Sequence, residues 1–537
     1  MPFKTPLGRP FFALLIASLM GHCGPLFAHG FGERYDLPVP MHWVIVAASW
    51  VVAASFLITP FFKSDIKTSA HFNLNLDASI AAFQAPPLHA WPKRLLMGAS
   101  CALLLLSWSC ATFGTEDALM NFAPTFIWIV WWLGLSFACM VFGNFWPHID
   151  PWMGFYLFAK FVKDWLSSFG HSPQPKASAV PFLNWPKGLG RWPACATLLI
   201  WCGLEIVYPI AAMPHRLGLF IALYSTYMWL GMLCFGAAQW RAQADGFFLC
   251  FELMGQTRQM ILNSMGSALH PEPAQRFALT THTPPKNTPK QARDPLSTIA
   301  LVIAMFTSVL FDGLHAGPAW LVFEKFSSHL PFLKHDLNGF LTGALGLIML
   351  WLILLLVFTL VCALTLRLFL LVPQYKRFQA QLNFSTLGLA CSFLASLLPI
   401  AMAYLIAHNF SAFFIQGQNI IALASDPFGW GWNLLGTAHF YPDITLIDAK
   451  LTWYVATISI VTGHVVSVLM AHRVACHYSE QLHALSFKAM LEDPTLEFEV
   501  TTIKPWILNI PMTLVMMGLT AMSLSIIAEP LTNSLSA

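Results

Sequence analysis

Apolar runs of about 20 residues recur along this chain from end to end, and few folds can hold them. In hydrocarbon every backbone N–H and C=O needs an internal partner, so such runs become helices packed side by side. Composition agrees: 57% of residues are hydrophobic and 10% charged, where a soluble domain carries roughly 25% charged. The expected fold is all-α, a polytopic transmembrane bundle of about ten spans after an N-terminal signal peptide. The spans read as Met41–Phe62, Leu95–Gly114, Ala123–Gly143, Ala194–Met213, Leu217–Gln239, Leu296–Leu314, Phe340–Val372, Leu382–Phe410, Leu451–His472 and Ile507–Glu529.

Residues 1–28 have the form of a secretory signal: Lys4 and Arg9, an apolar core at Phe11–Met20, and a cleavage point after Ala28. The alternative is an uncleaved first helix. Residues 29–537 then form one multi-span domain, with a long cytoplasmic loop over 240–295 that ends in the Pro/Thr/Lys-rich run THTPPKNTPKQARDP. Placing the mature N-terminus outside puts most of the 28 Lys and Arg residues in inner loops. Only Arg34, Arg216, Lys325, Lys334 and Lys450 then lie outside, and Lys4 and Arg9 lie in the signal. The positive-inside rule demands such a bias, and it sets the expectation of a bacterial inner membrane with both termini periplasmic. No basic patch stands apart from that pattern, so nucleic acid is not expected as a partner. The 11 cysteines form no CxxC pair and read as small buried hydrophobes.

Ionisable side chains inside a bilayer are rare and face the bundle interior or a wet cavity. The stretch from Leu398 to His472 is the richest in them, carrying His408, His464 and His472. Glu205 lies mid-span in WCGLEIVYP, and FDGLHAG places Asp312 and His315 at a membrane boundary. His464 lies about 20 Å below Leu451 at 1.5 Å per residue. An outward-facing polar cluster of Glu205, Asp312, His315 and His408 is the candidate site, capped by His29 or Asp36. Glu205 and Asp312 are its candidate catalytic carboxylates. His29, His315, His408 and His464 are its candidate metal ligands. Asp36, Asp426 and Trp430, in outer loops, are candidates for contacting substrate. Imidazole with carboxylate suits zinc, iron or manganese, and copper where histidines dominate, so a divalent transition metal is the expected cofactor. A metal-bound water loses its proton near neutrality and becomes a nucleophile. A mature N-terminal His29 could also chelate through its amine and imidazole.

Each residue also has a plain structural reading. Glu205 can hydrogen-bond a neighbouring helix, Asp312 can end its own, and His464 can satisfy a carbonyl. His148 and Asp150 in GNFWPHIDPW can belong to an interfacial Trp anchor, since Trp favours the headgroup zone. There is no HExxH and no GxSxG, and no glycine-rich loop marks an ATP-driven engine.

The motifs HGFGERYDLPVP, GNFWPHIDPW, WCGLEIVYP, FDG, LPIAMAYLIAHNF, SDPFGWGW and GHVVSVLMAH occur in that order. Together they resemble the bacterial membrane proteins called fenitrothion hydrolases, over most of the chain from His29 onward. The resemblance implies hydrolysis of an organophosphorus triester, a phosphorothioate cut to a nitrophenol and a dialkyl thiophosphate. It carries no catalytic residue set with it. Such a neutral aromatic substrate would partition into the bilayer and enter through apolar walls. Three other classes remain open: a transporter or channel with Glu205 and His464 as proton relay, a copper-dependent oxidative protein built on His29, and a scaffold for a second membrane subunit.

Overall fold

The computed structural model describes residues 28–30, 33–35, 41–58, 91–168, 181–269, 294–330, 339–371, 373–382, 385–492 and 509–528, with a few single positions between them. The expected signal peptide, Asp36 and the run 270–293 lie outside the described residues. A short hairpin pairs β1 (Ala28–Gly30) with β2 (Glu33–Tyr35), and the remaining elements are helical. In chain order these are α1 (Met41–Ile58), α2 (Trp91–Phe113), α3 (Phe122–Phe142), α4 (Trp146–Ile149), α5 (Pro151–Ser168) and α6 (Trp192–Val207). There follow α7 (Pro214–Phe235), α8 (Ala237–Gln243), α9 (Gly246–Leu269), α10 (Pro295–His315), α11 (Pro318–Ser327) and α12 (Phe340–Leu370). The last five are α13 (Pro373–Arg377), α14 (Thr386–Gln416), α15 (Asn419–Leu423), α16 (Ala449–Glu492) and α17 (Ile510–Ala528).

Among the described residues, 7 helices are long and apolar enough to cross a membrane: α2, α3, α7, α10, α12, α14 and α16. Shorter apolar helices occupy Trp43–Ile58, Trp192–Val207 and Ile510–Ile526. The starts follow local chemistry. Pro at the first helical position opens α7, α10 and α11, where its missing N–H has no partner to lose. Asp294 and Ser385 cap α10 and α14 through their side chains.

Burial marks which helices face lipid. The most apolar span, α12, buries only 17% of its apolar window, whereas less apolar α14 buries 83% and α10 buries 72%. α10 and α14 therefore form the centre. α10 packs against α6, α12 and α14; α14 packs most extensively against α16; and α16, α17 and α1 close one flank. A close approach fixes the α14–α16 pair. A Cβ on Gly463 would lie 2.4 Å from the Ala403 Cβ and 2.8 Å from the Pro399 carbonyl, so only glycine fits. Small residues at such crossings let membrane helices pack backbone to backbone.

Two expectations change here. The span expected to stop at His472 belongs to a 44-residue helix that runs on to Glu492. The first half of the expected 240–295 loop is helical and packed. Trp240, Phe247, Phe248, Phe251, Leu253 and Met254 are all buried, and α9 packs against α3, α6 and α14. Charges at its start hid this, because they are buried as a network. Asp150, Arg241 and Asp245 are nearly inaccessible. Arg241 Nε lies 3.0 Å from Asp150 Oδ2, and its guanidinium sits over the Phe248 ring. Asp245 accepts from the Tyr224 hydroxyl and the Phe248 N–H, both at 3.0 Å.

Removing one partner of a buried ion pair is destabilising by about 3–5 kcal/mol. Arg241→Met is expected to lower stability by that order in detergent unfolding, and adding Asp150→Leu to recover much of the loss. Burial, then the nearby Asp150 charge, raises the Asp245 carboxyl to about 7. A carboxyl raised in the fold contributes fully below its unfolded value of about 4 and loses that contribution as pH rises through the folded value. The melting temperature is therefore expected to fall between pH 5 and pH 8. Asp245→Asn should flatten that slope, read by thermal unfolding across the range.

Candidate functional site

The C-terminal turn of α10 and the middle of α14 face each other. α10 ends Phe311-Asp312-Gly313-Leu314-His315 before Gly317-Pro318 starts α11. Gly313 sets the approach, because a Cβ there would lie 2.0 Å from the Tyr404 hydroxyl oxygen. With no side chain in the way, Tyr404 lies against α10. His408, one turn along on the same helix face, stacks parallel to it at 6.1 Å. That register brings His408 Nε2 to 3.1 Å from Asp312 Oδ2. The pair is reachable as well as made: the His408 side chain is 22% exposed and that of Asp312 is 35% exposed.

Glu205 approaches from α6. Its side chain lies near Trp132 of α3 and within electrostatic range of Asp312. Both backbones are unusual at this point. Glu205 sits in a π-helical stretch, Gly203–Val207, and Trp132 in another, Thr125–Leu133. π-turns are uncommon and concentrate at functional sites. Cys202, one turn back, also senses Glu205 and Asp312. Asp312 thus pairs with His408 and lies within electrostatic range of Glu205 and His315.

The expected metal cluster does not assemble from these groups. Among the described residues, no group of three or more His, Cys, Asp or Glu side chains can hold a metal ion. The His315 ring is packed between Trp320, at 4.7 Å, and Phe311, at 5.5 Å. His464 lies apart from the cluster, 1% exposed, with Nδ1 2.8 Å from the Ile460 carbonyl of its own helix. Its Nε2 has no hydrogen-bond partner among the described residues. Its neighbour Gly463 meets α14 at Pro399–Ala403, one to two turns below His408. His29 falls in β1, and Asp36 lies outside the described residues.

Asp426 closes its own loop. Its two oxygens accept the Trp430 and Gly431 N–H groups at 2.9 and 2.7 Å, closing a loop whose Gly429 and Gly431 have positive φ. Trp430 is exposed and stacks on Phe428 at 4.4 Å. A cavity of about 960 Å³ lies elsewhere, between α2, α3, α6 and α7, and none of Glu205, Asp312, His315 or His408 lines it.

Trp132, Gly313 and Tyr404 did not stand out in sequence. The usable signal was indirect: a carboxylate placed mid-span needs a donor from a neighbouring helix. Overpacking a tight contact costs typically 1–3 kcal/mol. Gly313→Val is expected to destabilise the protein by about that much and to break the His408–Asp312 pair. Loss of pairing would be read from the His408 imidazole signals in a histidine-labelled sample. No family model matches the chain, and no curated protein or solved structure matches it either.

Proposed function

We propose that this membrane protein performs acid–base chemistry on a hydrophobic small molecule, with His408 as the proton acceptor. The observation that carries this reading is the His408–Asp312 contact at 3.1 Å, partly open and beside Glu205. A carboxylate at Nε2 holds the N–H there and leaves the lone pair on Nδ1, the arrangement in which an imidazole accepts a proton.

Its reaction is hydrolysis of a neutral organophosphorus triester, of the fenitrothion type that the ordered motifs suggest. Water gives its proton to His408 Nδ1 as its oxygen bonds to phosphorus. The aryl ester P–O bond breaks on the opposite side, and the phenolate leaves with the bonding pair. His408 then returns its proton to that phenolate. Asp312 keeps negative charge beside the imidazolium while it lasts. No step is routed through a metal. The setting is the bacterial inner membrane, with this end of the bundle facing the periplasm, as the charge bias of the loops favours.

General-base catalysis typically contributes 10²–10⁴-fold. His408→Gln and Asp312→Asn are each expected to lower kcat/KM for a nitrophenyl thiophosphate triester by about that factor, and the double variant by little more. The purified protein in detergent is the sample, and nitrophenol release the readout. Full activity in both single variants would end this reading. A proton-coupled transporter is the second reading, favoured by Glu205 lying in a π-turn of an apolar helix. In that case proteoliposomes would show pH-driven counterflow without product, lost in Glu205→Gln.

A further inference from the structure

The cavity between α2, α3, α6 and α7 is separate from the His408 site. Its wall is almost wholly apolar, with Trp131, Trp152, Trp201 and Phe247 prominent. Leu96, Ile200 and Leu223, on its rim, are exposed on the outer face of the bundle, so it opens sideways toward lipid. Four hydroxyls reach the wall, and each is already engaged. Ser100 bonds the Ile149 carbonyl, Thr197 the Ala244 carbonyl at 3.1 Å, Tyr224 Asp245 and Tyr227 the Ala244 carbonyl at 2.9 Å. A stable buried water needs two to four polar partners, and what this wall still offers is two indole N–H donors, Trp146 Nε1 and Trp201 Nε1, unpaired among the described residues. A void that water cannot occupy forfeits the dispersion contacts of its lining. Hydrocarbon resolves both problems, and the bilayer supplies it at the mouth.

One end of the cavity is basic. Lys93, Leu96 and Ser100 share a face of α2 at helical spacing, and Leu96 and Ser100 belong to the wall. Lys93 therefore lies at the cavity's end, with Arg94 next to it. The Lys93 charge is felt at His148, which precedes the wall residue Ile149. α5 crosses α2 there, a Cβ on Gly154 falling 2.5 Å from Cys101 Sγ, and it carries Lys160 and Lys163 with one acid, Asp164. The other nearby carboxylate, Asp150, is paired with Arg241. Basic pockets at the ends of membrane helices hold anionic headgroups.

We infer that this cavity is a binding site for an anionic phospholipid, with an acyl chain between α2, α3, α6 and α7 and the phosphate against Lys93 and Arg94. The lipid fills the gap that separates α6 from α2 and α7, and so acts as a structural ligand. The site is independent of the reading given for His408.

Native mass spectrometry of the full chain in mild detergent tests this, with equal phosphatidylglycerol and phosphatidylcholine added. Each basic residue near a headgroup is worth about fivefold, so phosphatidylglycerol should be retained over phosphatidylcholine by about fivefold or more. Lys93→Gln with Arg94→Gln should bring that ratio close to one without changing the unfolding temperature in lipid-free detergent. Ala99→Phe and Ala196→Phe, at exposed wall positions, should lower retention of both lipids. If one of them fails to fold, the other carries the result. Equal retention of the two lipids by the unaltered chain would overturn the inference. So would a charge preference unchanged in the Lys93/Arg94 variant, or a neutral small molecule held in place of lipid.

Discussion

Charge inside an apolar bundle has to be matched locally, and that requirement shapes the packing. Two unit charges at 4 Å interact by about 1 kcal/mol in water and by about 4 kcal/mol at an effective dielectric of 20. An unmatched buried charge is correspondingly destabilising. The chain supplies each such group with a partner from another element. Asp312 of α10 meets His408 of α14, Asp150 at the start of α5 meets Arg241 of α8, and Asp245 meets Tyr224 of α7. Glu252 of α9 accepts from Asn144 at the end of α3 and from Gln256 one turn on. These pairs, together with the close contacts at Gly313 and Gly463, fix depth and rotation.

The pairs occupy the two ends of the bundle. At one end, the Asp150–Arg241–Asp245 network is sealed from solvent and does the work of a clasp on α5, α7, α8 and α9. At the other, His408 and Asp312 remain partly open. Burial without access suits a structural role, and partial access with an oriented imidazole suits chemistry. The same contrast separates His408 from His464. The first has a carboxylate beside it and a route out, while the second bonds the Ile460 carbonyl of its own helix and is enclosed by α14.

Several features are legible in the residues alone. The apolar runs mark the helical bundle and nearly all the helix positions, and the unusual depth of Glu205 marks it as needing a partner. FDG marks Asp312 as a carboxylate at a helix end, while the gap that Gly313 leaves for Tyr404 shows only in the fold. Other features are hidden. WRAQADGFF reads as a loop because Arg241 and Asp245 are charged, yet Arg241 pairs with Asp150, 91 residues away, and Asp245 accepts a hydrogen bond from Tyr224, 21 residues away. His315 and His464 read as ligands because imidazole is a good ligand; the fold packs the first among aromatic rings and bonds the second to a backbone carbonyl.

Length, hydropathy and charge bias are properties summed over neighbouring residues, so the chain alone settled that it forms apolar helices and which of its side chains are unfavourable to bury. Which of those side chains meet is a property of helix rotation and register. A shift of one residue turns a helix face by about 100°, and no local pattern records that angle. The tertiary structure alone joined Asp312 to His408 and Arg241 to Asp150, left His464 apart, and opened an oily cavity away from the polar site. Contacts between distant segments, Gly313 with Tyr404 and Gly463 with Ala403 among them, fixed those rotations.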